Sequence, residues 1–143
     1  MNTSKIKIES RTENLSHVRD FISSNARNFG FDEESVNKIA LAVDEACTNI
    51  IKHSYAFASD KEIEITVIRH HDQFEVVITD QGKSFNPSLV KSPNMKEYLS
   101  SYKKGGLGMH LMRSLMDKVE YKTILGKKNE VRLVKNLPEK VSR

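Results

Sequence analysis

The spacing of hydrophobic residues changes along the chain, and each spacing predicts one kind of element. Ile6 and Ile8 alternate with polar neighbours, which predicts a short strand that we expect at the edge of a sheet. After Asn14, a candidate N-cap, apolar side chains recur every three or four residues up to Gly30. This pattern predicts an amphipathic helix that ends in a glycine C-cap, and Asp32 then begins a second, longer helix.

The period changes to two from Glu62 onward, which predicts a β-hairpin with a polar turn at residues 70–72. In the second strand of this hairpin, Val76 and Ile78 share one face, and Asp80 continues the same face. A carboxylate in line with core residues needs a polar partner, because an unpaired buried charge is costly.

The second half of the chain predicts a loop, one helix and two strands. Residues 83–104 contain two prolines, so we expect a mobile loop or lid there, with a short helix at 95–102 as an open alternative. A helix is predicted at about 107–115, and closing strands at about 119–125 and 131–137. Strands with helices that can cover only one face predict an α+β two-layer sandwich, which we expect to form a single domain over residues 1–143.

The composition excludes several classes of protein. Hydrophobic residues make up 38% of the chain and charged residues 29%, a mixture that excludes wholesale disorder. No apolar run approaches the roughly 18 residues of a membrane helix, and the start of the chain lacks a signal peptide, so we expect a cytoplasmic protein. A single cysteine, Cys47, cannot form an internal disulfide, and no Cys/His cluster has zinc spacing.

The excess of basic residues is small and scattered. The formal net charge is +4, but the lysines occur singly or in pairs and few aromatic residues lie between them. This pattern is typical of solvated surface charge and argues against a nucleic-acid interface. The adjacent histidines His70 and His71 lie beside Asp72 in the predicted turn, where we expect them to be solvated and not to bind a metal.

Four of the six glycines lie in two places. Gly82 follows Asp80, and Gly105, Gly106 and Gly108 lie at the start of the third predicted helix. A glycine-rich helix start lets backbone N–H groups approach an anion, and the helix dipole adds about half a positive charge. A phosphate group fits there, although helix caps and hinges also use glycine. Neither the Walker loop nor the dinucleotide-binding fingerprint fits these glycines.

The second helix extends to about His53 and carries Glu45 and Asn49, four residues apart on one face. At 100° per residue both lie at the rim of the apolar stripe. An Asn oxygen can bind Mg²⁺ together with phosphates and waters, and a nearby glutamate can orient or deprotonate a nucleophile. Without further context, most such pairs simply face solvent.

Together these segments resemble the GHKL (Bergerat-fold) ATPases, and within them the anti-sigma-factor serine kinases of the sigma-B regulator W and stage II sporulation AB type. The matching segments are an N box, a first and a second glycine box and the last strand: Glu45-Ala46-Cys47-Thr48-Asn49 with Lys52-His53, Asp80-Gln81-Gly82-Lys83-Ser84-Phe85, Gly105-Gly106-Leu107-Gly108-Met109, and Val131-Arg132-Leu133-Val134-Lys135. They occur in the family's order and cover nearly the whole chain. The resemblance implies a mixed, mainly antiparallel sheet with helices on one face.

The resemblance also implies an ATP pocket between the helices and the lid. Asp80 would accept a hydrogen bond from the adenine amino group, Asn49 would bind Mg²⁺, and Glu45 would be the general base toward a seryl hydroxyl. The other nucleotide-binding positions that it implies are His53, Gly82, Ser84, Phe85, Lys104, Gly105, Gly106, Leu107, Gly108, Met109 and Asn129. Asn129 stands where the family often has threonine, so either its side chain replaces that contact or the contact is lost.

The implied function is that of an ATP-binding anti-sigma factor with serine/threonine protein kinase activity. Its partners would be an anti-anti-sigma STAS protein as substrate, a sigma factor and a second copy of the chain, with no direct nucleic-acid or membrane partner. Two alternatives stay open. In the first, ATP only gates protein binding, which the presence of Glu45 disfavours. The second is the catalytic fragment of a sensor histidine kinase, which the Ser84-Phe85 variant disfavours.

Overall fold

The computed structural model describes residues 2–82, 106–124 and 128–138. In chain order the elements are β1 (Asn2–Glu9), a 3₁₀ turn (Thr12–Asn14), α1 (Leu15–Phe29), α2 (Glu33–Asn49), a π-helical turn (Ile50–Ser54), β2 (Glu62–Arg69), β3 (Gln73–Asp80), α3 (Gly106–Leu115), β4 (Lys118–Ile124) and β5 (Lys128–Asn136). The predicted elements are confirmed, with bounds that differ by a few residues. The lid predicted at 83–104 lies outside the described residues.

The five described strands form one sheet in the order β1-β2-β3-β5-β4. Strand β1 is an edge, as predicted, and each pairing in this part of the chain is antiparallel. The parallel component that the resemblance implied is therefore absent from the described strands. The register places Asp80 of β3 between Ile63 of β2 and Asn129 of β5, with Thr123 of β4 beyond Asn129.

The core lies between one face of the sheet and the helices, which confirms the two-layer α+β sandwich. Its largest fully buried side chains come from both layers: Phe74, Ile22, Ile39, Ile63, Ile65, Ile78, Met112, Leu133, Val18, Val36, Val43 and Val67. Burying each such aliphatic or aromatic side chain contributes about 1.5–3 kcal/mol. No helix in the described part of the chain has the length and apolar character needed to span a membrane.

Two of the three predicted helix caps are confirmed. The Asp32 side chain accepts a hydrogen bond from Ser35 N at 2.8 Å, and this bond lowers the pKa of Asp32. Gly30 ends α1 with a φ of 120°, which a residue with a Cβ adopts only under strain. Asn14 does not cap α1 through its side chain, because its Nδ2 instead donates to Glu9 O at 3.0 Å. The 3₁₀ turn Thr12–Asn14 leads directly into α1.

The prediction for the hairpin turn is wrong for His70. Its ring is only half-exposed, and its Nε2 lies 2.9 Å from Glu75 Oε1. Glu75 lies on the sheet face opposite the helices, where its side chain is buried and also accepts from Arg132 Nε at 2.7 Å. A buried carboxylate needs hydrogen-bond donors, and for Glu75 one of them is the His70 ring. This contact explains why His70 is less exposed than the local sequence predicted.

Candidate nucleotide site

A cleft opens between the end of α2 and the adjoining ends of β3, β5 and β4. Its walls are formed by Ala46, Asn49, Ile50, Ser54, Asp80, Tyr121, Lys122, Asn129, Glu130 and Val131. The empty space along these walls, which includes open solvent outside the cleft, is about 360 Å³. It brings together three residues that the sequence singled out at distant positions, namely Asn49, Asp80 and Asn129.

Asp80 is the buried acid of this cleft, with 3% of its surface exposed. Its Oδ1 accepts from Asn129 Nδ2 at 3.0 Å and from Gly82 N at 2.8 Å, and the Ser54 hydroxyl also donates to the carboxylate. Burial raises the pKa of Asp80, and these three donors oppose that rise. The polar partners that an inward-pointing carboxylate requires are therefore present, as the sequence predicted.

Asn129 contacts both Asp80 and the first glycine box. It is 8% exposed, and its Nδ2 donates to Gly82 O at 3.1 Å as well as to Asp80. Thr123 Oγ1 lies 3.4 Å from its Oδ1 on the other side. The Asn129 side chain thus contacts Asp80 directly, which decides neither of the two alternatives left open for the nucleotide contact. A nucleotide contact of its own stays a prediction.

Gly82 is packed so closely that a larger residue does not fit. A Cβ at this position would lie 2.5 Å from Ser54 O and 2.8 Å from Tyr55 Cδ1. The neighbouring Gln81 N donates to Tyr55 Oη at 2.9 Å, so the same ring also holds the backbone before the glycine. Residues 81 and 82 of the first glycine box are therefore packed against Ser54 and Tyr55, which follow the helix that carries Asn49.

The N-box helix changes its pitch at the cleft. Asn49 is the last residue of α2 and is 7% exposed, so the solvent-facing alternative is wrong for it. The chain continues as the π-helical turn Ile50–Ser54, which directs the Ser54 hydroxyl to Asp80. Glu45 is half-buried one helical turn before Asn49 and is not among the described residues that line the cleft. π-helical turns are rare and are frequent at functional sites.

Two other residues near the N box differ in character. His53 is half-buried, and its pKa is lowered by burial and by the charge of Lys52, which favours the neutral ring. It does not line the described part of the cleft. Cys47 is fully buried, and burial raises the pKa of its thiol to about 12. Cys47 is therefore a small core residue, and its protonated thiol is a poor nucleophile.

The second glycine box opens α3, as the sequence predicted. Gly106, Leu107, Gly108 and Met109 form its first turn, and α3 packs against α2. The start of α3 therefore belongs to the same layer as the N box. The predicted positions Ser84, Phe85, Lys104 and Gly105 lie outside the described residues.

Sequence reasoning missed several cleft residues. Ser54 directly follows the N box, and this proximity was the one available signal for it. Tyr121 and Lys122 belong to no motif and reach the cleft because β4 pairs with β5 next to Asn129.

Comparison with known proteins gives a consistent result. Residues 8–135 match the family model of the histidine kinase-like ATPase domain. The chain is 31% identical to the serine-protein kinase RsbW of Halalkalibacterium halodurans over 124 residues, 84% of this chain and 75% of that protein. It is 31% identical to the protein of the same name from Bacillus subtilis over 120 residues, 80% of this chain and 74% of that protein.

Solved structures share the fold at lower identity. The RsbU and RsbW domains of a Mycobacterium tuberculosis protein superpose with a TM-score of 0.69 and 14% identity, covering 96% of this chain and 32% of that one. The catalytic domain of the histidine kinase ThkA superposes with a TM-score of 0.54 and 13% identity, covering 95% and 96%.

Proposed function

Because the chain belongs to the histidine kinase-like ATPase family, we propose that it is an ATP-dependent protein serine kinase of the RsbW type that also acts as an anti-sigma factor. The observation that carries the proposal is the cleft in which Asp80 and Asn129 face Asn49. Curated relatives that match four-fifths or more of the chain are named serine-protein kinases, which supports the same activity.

Asp80 is the adenine-recognising residue in this proposal. Its ionised carboxylate accepts hydrogen bonds, and the 6-amino group of adenine donates them, whereas a 6-oxo group would oppose an acceptor. Because the site is buried, an unmatched polar group there costs more than it would in water. The half-buried Tyr121 supplies an aromatic surface on the β4 side of the same cleft.

Asn49 is the residue proposed to hold Mg²⁺. A hard cation prefers oxygen ligands, and the Asn49 amide lines the cleft at the end of α2, so its chemistry fits the ion. Mg²⁺ would neutralise phosphate charge and so favour transfer of the γ-phosphoryl group. The glycines 105, 106 and 108, with Leu107 and Met109, are proposed to hold the phosphates at the start of α3.

Glu45 is proposed to be the general base. It would take the proton of a seryl hydroxyl as that oxygen bonds to the γ-phosphorus of ATP and ADP leaves. Its place one turn before Asn49 on a rigid helix keeps base and metal ligand at a fixed separation. The proposed nucleotide-binding set is completed by His53, Gly82, Ser84, Phe85, Lys104 and Asn129.

The proposed partners follow from the same family type. The substrate would be a STAS-domain anti-anti-sigma protein, the sequestered partner a sigma factor, and the active form a homodimer in the cytoplasm. Phosphorylation of the STAS protein would weaken its binding and so control how much of the kinase is free to hold the sigma factor.

The test is a phosphotransfer assay with Mg-ATP and a STAS-domain protein that binds the chain in a pull-down. We expect one phosphoserine in the STAS protein by mass spectrometry, and Glu45→Gln should lower the transfer rate by about 10²-fold or more while ATP still binds. Glu34→Gln is the matched control, since Glu34 is an exposed residue of the same helix. If a bound STAS protein gains no phosphate, or Glu45→Gln transfers at the normal rate, the proposed kinase mechanism is wrong.

A further inference from the structure

Two side chains hold the Asp80 carboxylate from opposite sides of the cleft. Asn129 reaches it along the sheet from β5, and Ser54 reaches it from the π-helical turn after α2. Both are buried, and each sits on an element that the core fixes. The Gly82 amide supplies a third donor, at 2.8 Å.

An ionised carboxylate has about four acceptor positions on its two oxygens. Asn129 Nδ2 and Gly82 N both donate to Oδ1, and the Ser54 hydroxyl donates to the same carboxylate. Among the described residues, three donors therefore surround this carboxylate. An incoming N–H donor can add to them, and the donors around the carboxylate favour the ionised acid over the protonated one.

We propose that Asn129 and Ser54 are positioning residues that make Asp80 a fixed, ionised acceptor, and that they set the preference for a 6-amino purine over a 6-oxo purine. The inference rests on the proposed function, because it assumes that a purine occupies this cleft. Without these donors, a buried Asp80 takes up a proton more readily and becomes a donor itself, which suits a 6-oxo group.

The side-chain nitrogen of Asn129 donates hydrogen bonds to two different acceptors. Its Nδ2 donates to Asp80 Oδ1 at 3.0 Å and to Gly82 O at 3.1 Å, and these are side-chain and backbone acceptors two residues apart. A threonine hydroxyl has a single hydrogen, so it can satisfy only one of them. Asparagine at this position therefore fixes the acid and the backbone of the first glycine box together.

The test compares the association constants of Mg-ATP and Mg-ITP, which differ at position 6 of the purine, by calorimetry on the whole chain; the ATP/ITP ratio is the association constant for ATP divided by that for ITP. We expect the unchanged protein to prefer ATP at least about tenfold, since a hydrogen bond to a charged group is lost with ITP. Asn129→Ala should lower this ATP/ITP ratio by about tenfold, mainly through weaker ATP binding. Ser54→Ala should also lower the ATP/ITP ratio. Because serine and alanine differ by only one oxygen, this variant provides the test if Asn129→Ala does not fold.

A second readout separates positioning from mere structural damage. In both variants the ATP/ITP ratio should rise with pH, because deprotonation restores the ionised Asp80 that the lost donors no longer favour. Asn136→Ala is the matched control, since Asn136 is an exposed residue at the other end of β5 that contacts Gln73. It should leave the ratio unchanged at every pH.

The outcomes distinguish the inference from the proposed function. If the unchanged protein binds ATP and ITP equally, the adenine role of Asp80 is wrong and this inference fails with it. If the unchanged protein prefers ATP while folded Asn129→Ala and Ser54→Ala keep the same ratio and pH profile, the inference alone is overturned.

Discussion

The two ends of strand β3 are buried alike but are built from opposite chemistry. Phe74 at one end is 0% exposed and packs with Phe29 and Phe31 at ring-centre distances of 5.5 and 5.7 Å. Asp80 at the other end is 3% exposed and is surrounded by hydrogen-bond donors. The aromatic end contributes stability, whereas burying the carboxylate at the acid end costs desolvation energy. One strand thus carries both a stabilising aromatic cluster and the residue that we propose recognises adenine.

The largest effect on stability is expected at the aromatic end. Phe74→Ala removes a fully buried ring and leaves a cavity between Phe29 and Phe31, so the free energy of unfolding should fall by about 3–5 kcal/mol. Urea denaturation followed by circular dichroism measures it. The folded fraction should keep its ATP affinity, because the substitution lies at the far end of β3. A loss of affinity in folded protein would contradict the separation of the two ends.

At the acid end the main effect falls on ligand binding. In Asp80→Asn an amide replaces the carboxylate, and its NH₂ group can face the adenine amino group, so ATP affinity should drop by about 10²-fold. Calorimetry with Mg-ATP measures the loss. Stability without ligand should be equal or higher, since the variant no longer buries a charge. Unchanged ATP affinity would remove Asp80 from the site.

Gly82→Ala should lower both the free energy of unfolding and the affinity for ATP. The added methyl group would lie 2.5 Å from Ser54 O, so the backbone of the first glycine box must shift, at a cost of about 1–3 kcal/mol in unfolding free energy. Thermal unfolding with and without Mg-ATP measures both consequences, and ATP binding should weaken as well. Gly30→Ala is a useful comparison, because its φ of 120° makes it strained while its Cβ has space and lies away from the cleft. It should lower stability without weakening ATP binding.

The smallest effect is a pH dependence. Burial raises the pKa of Asp80 above 3.8, so native protein keeps this proton to a higher pH than the unfolded chain does. Its contribution to the free energy of unfolding is greatest below 3.8 and falls as the pH rises through the pKa of the folded state. Urea midpoints of the unchanged protein and Asp80→Asn, from about pH 4 to about pH 7, should diverge in favour of the variant as the pH rises. A difference that stays constant with pH would contradict this prediction.

The sequence predicted most of the scaffold because the signals were local. Asp32 bonds to an amide three residues later, and the period-two pattern of β3 placed Asp80 on the inner face without knowledge of the other strands. Asn14 does not cap α1 through its side chain because its backbone is already helical, with φ −81° and ψ −9°, and its Nδ2 donates to Glu9 O.

The sequence did not predict the parts of the site that depend on distant pairing. Ser54 meets Asp80 only after a π-helical turn changes the pitch of the helix, and no spacing rule anticipates that turn. Tyr121 reaches the cleft through the β4–β5 register, and His70 is drawn to a glutamate buried on the opposite face of the sheet. Long-range partners of this kind are decided by tertiary packing.

The most direct test of the adenine site is a thermal unfolding titration with Mg-ATP against Mg-GTP. ATP at a hundred times its dissociation constant should add about 2.7 kcal/mol to the free energy of unfolding. For a chain of 143 residues this corresponds to a rise of several degrees in the unfolding midpoint. GTP at the same concentration should give a much smaller rise, because its 6-oxo group opposes Asp80. Equal rises with both nucleotides, or no rise with either, would contradict the account.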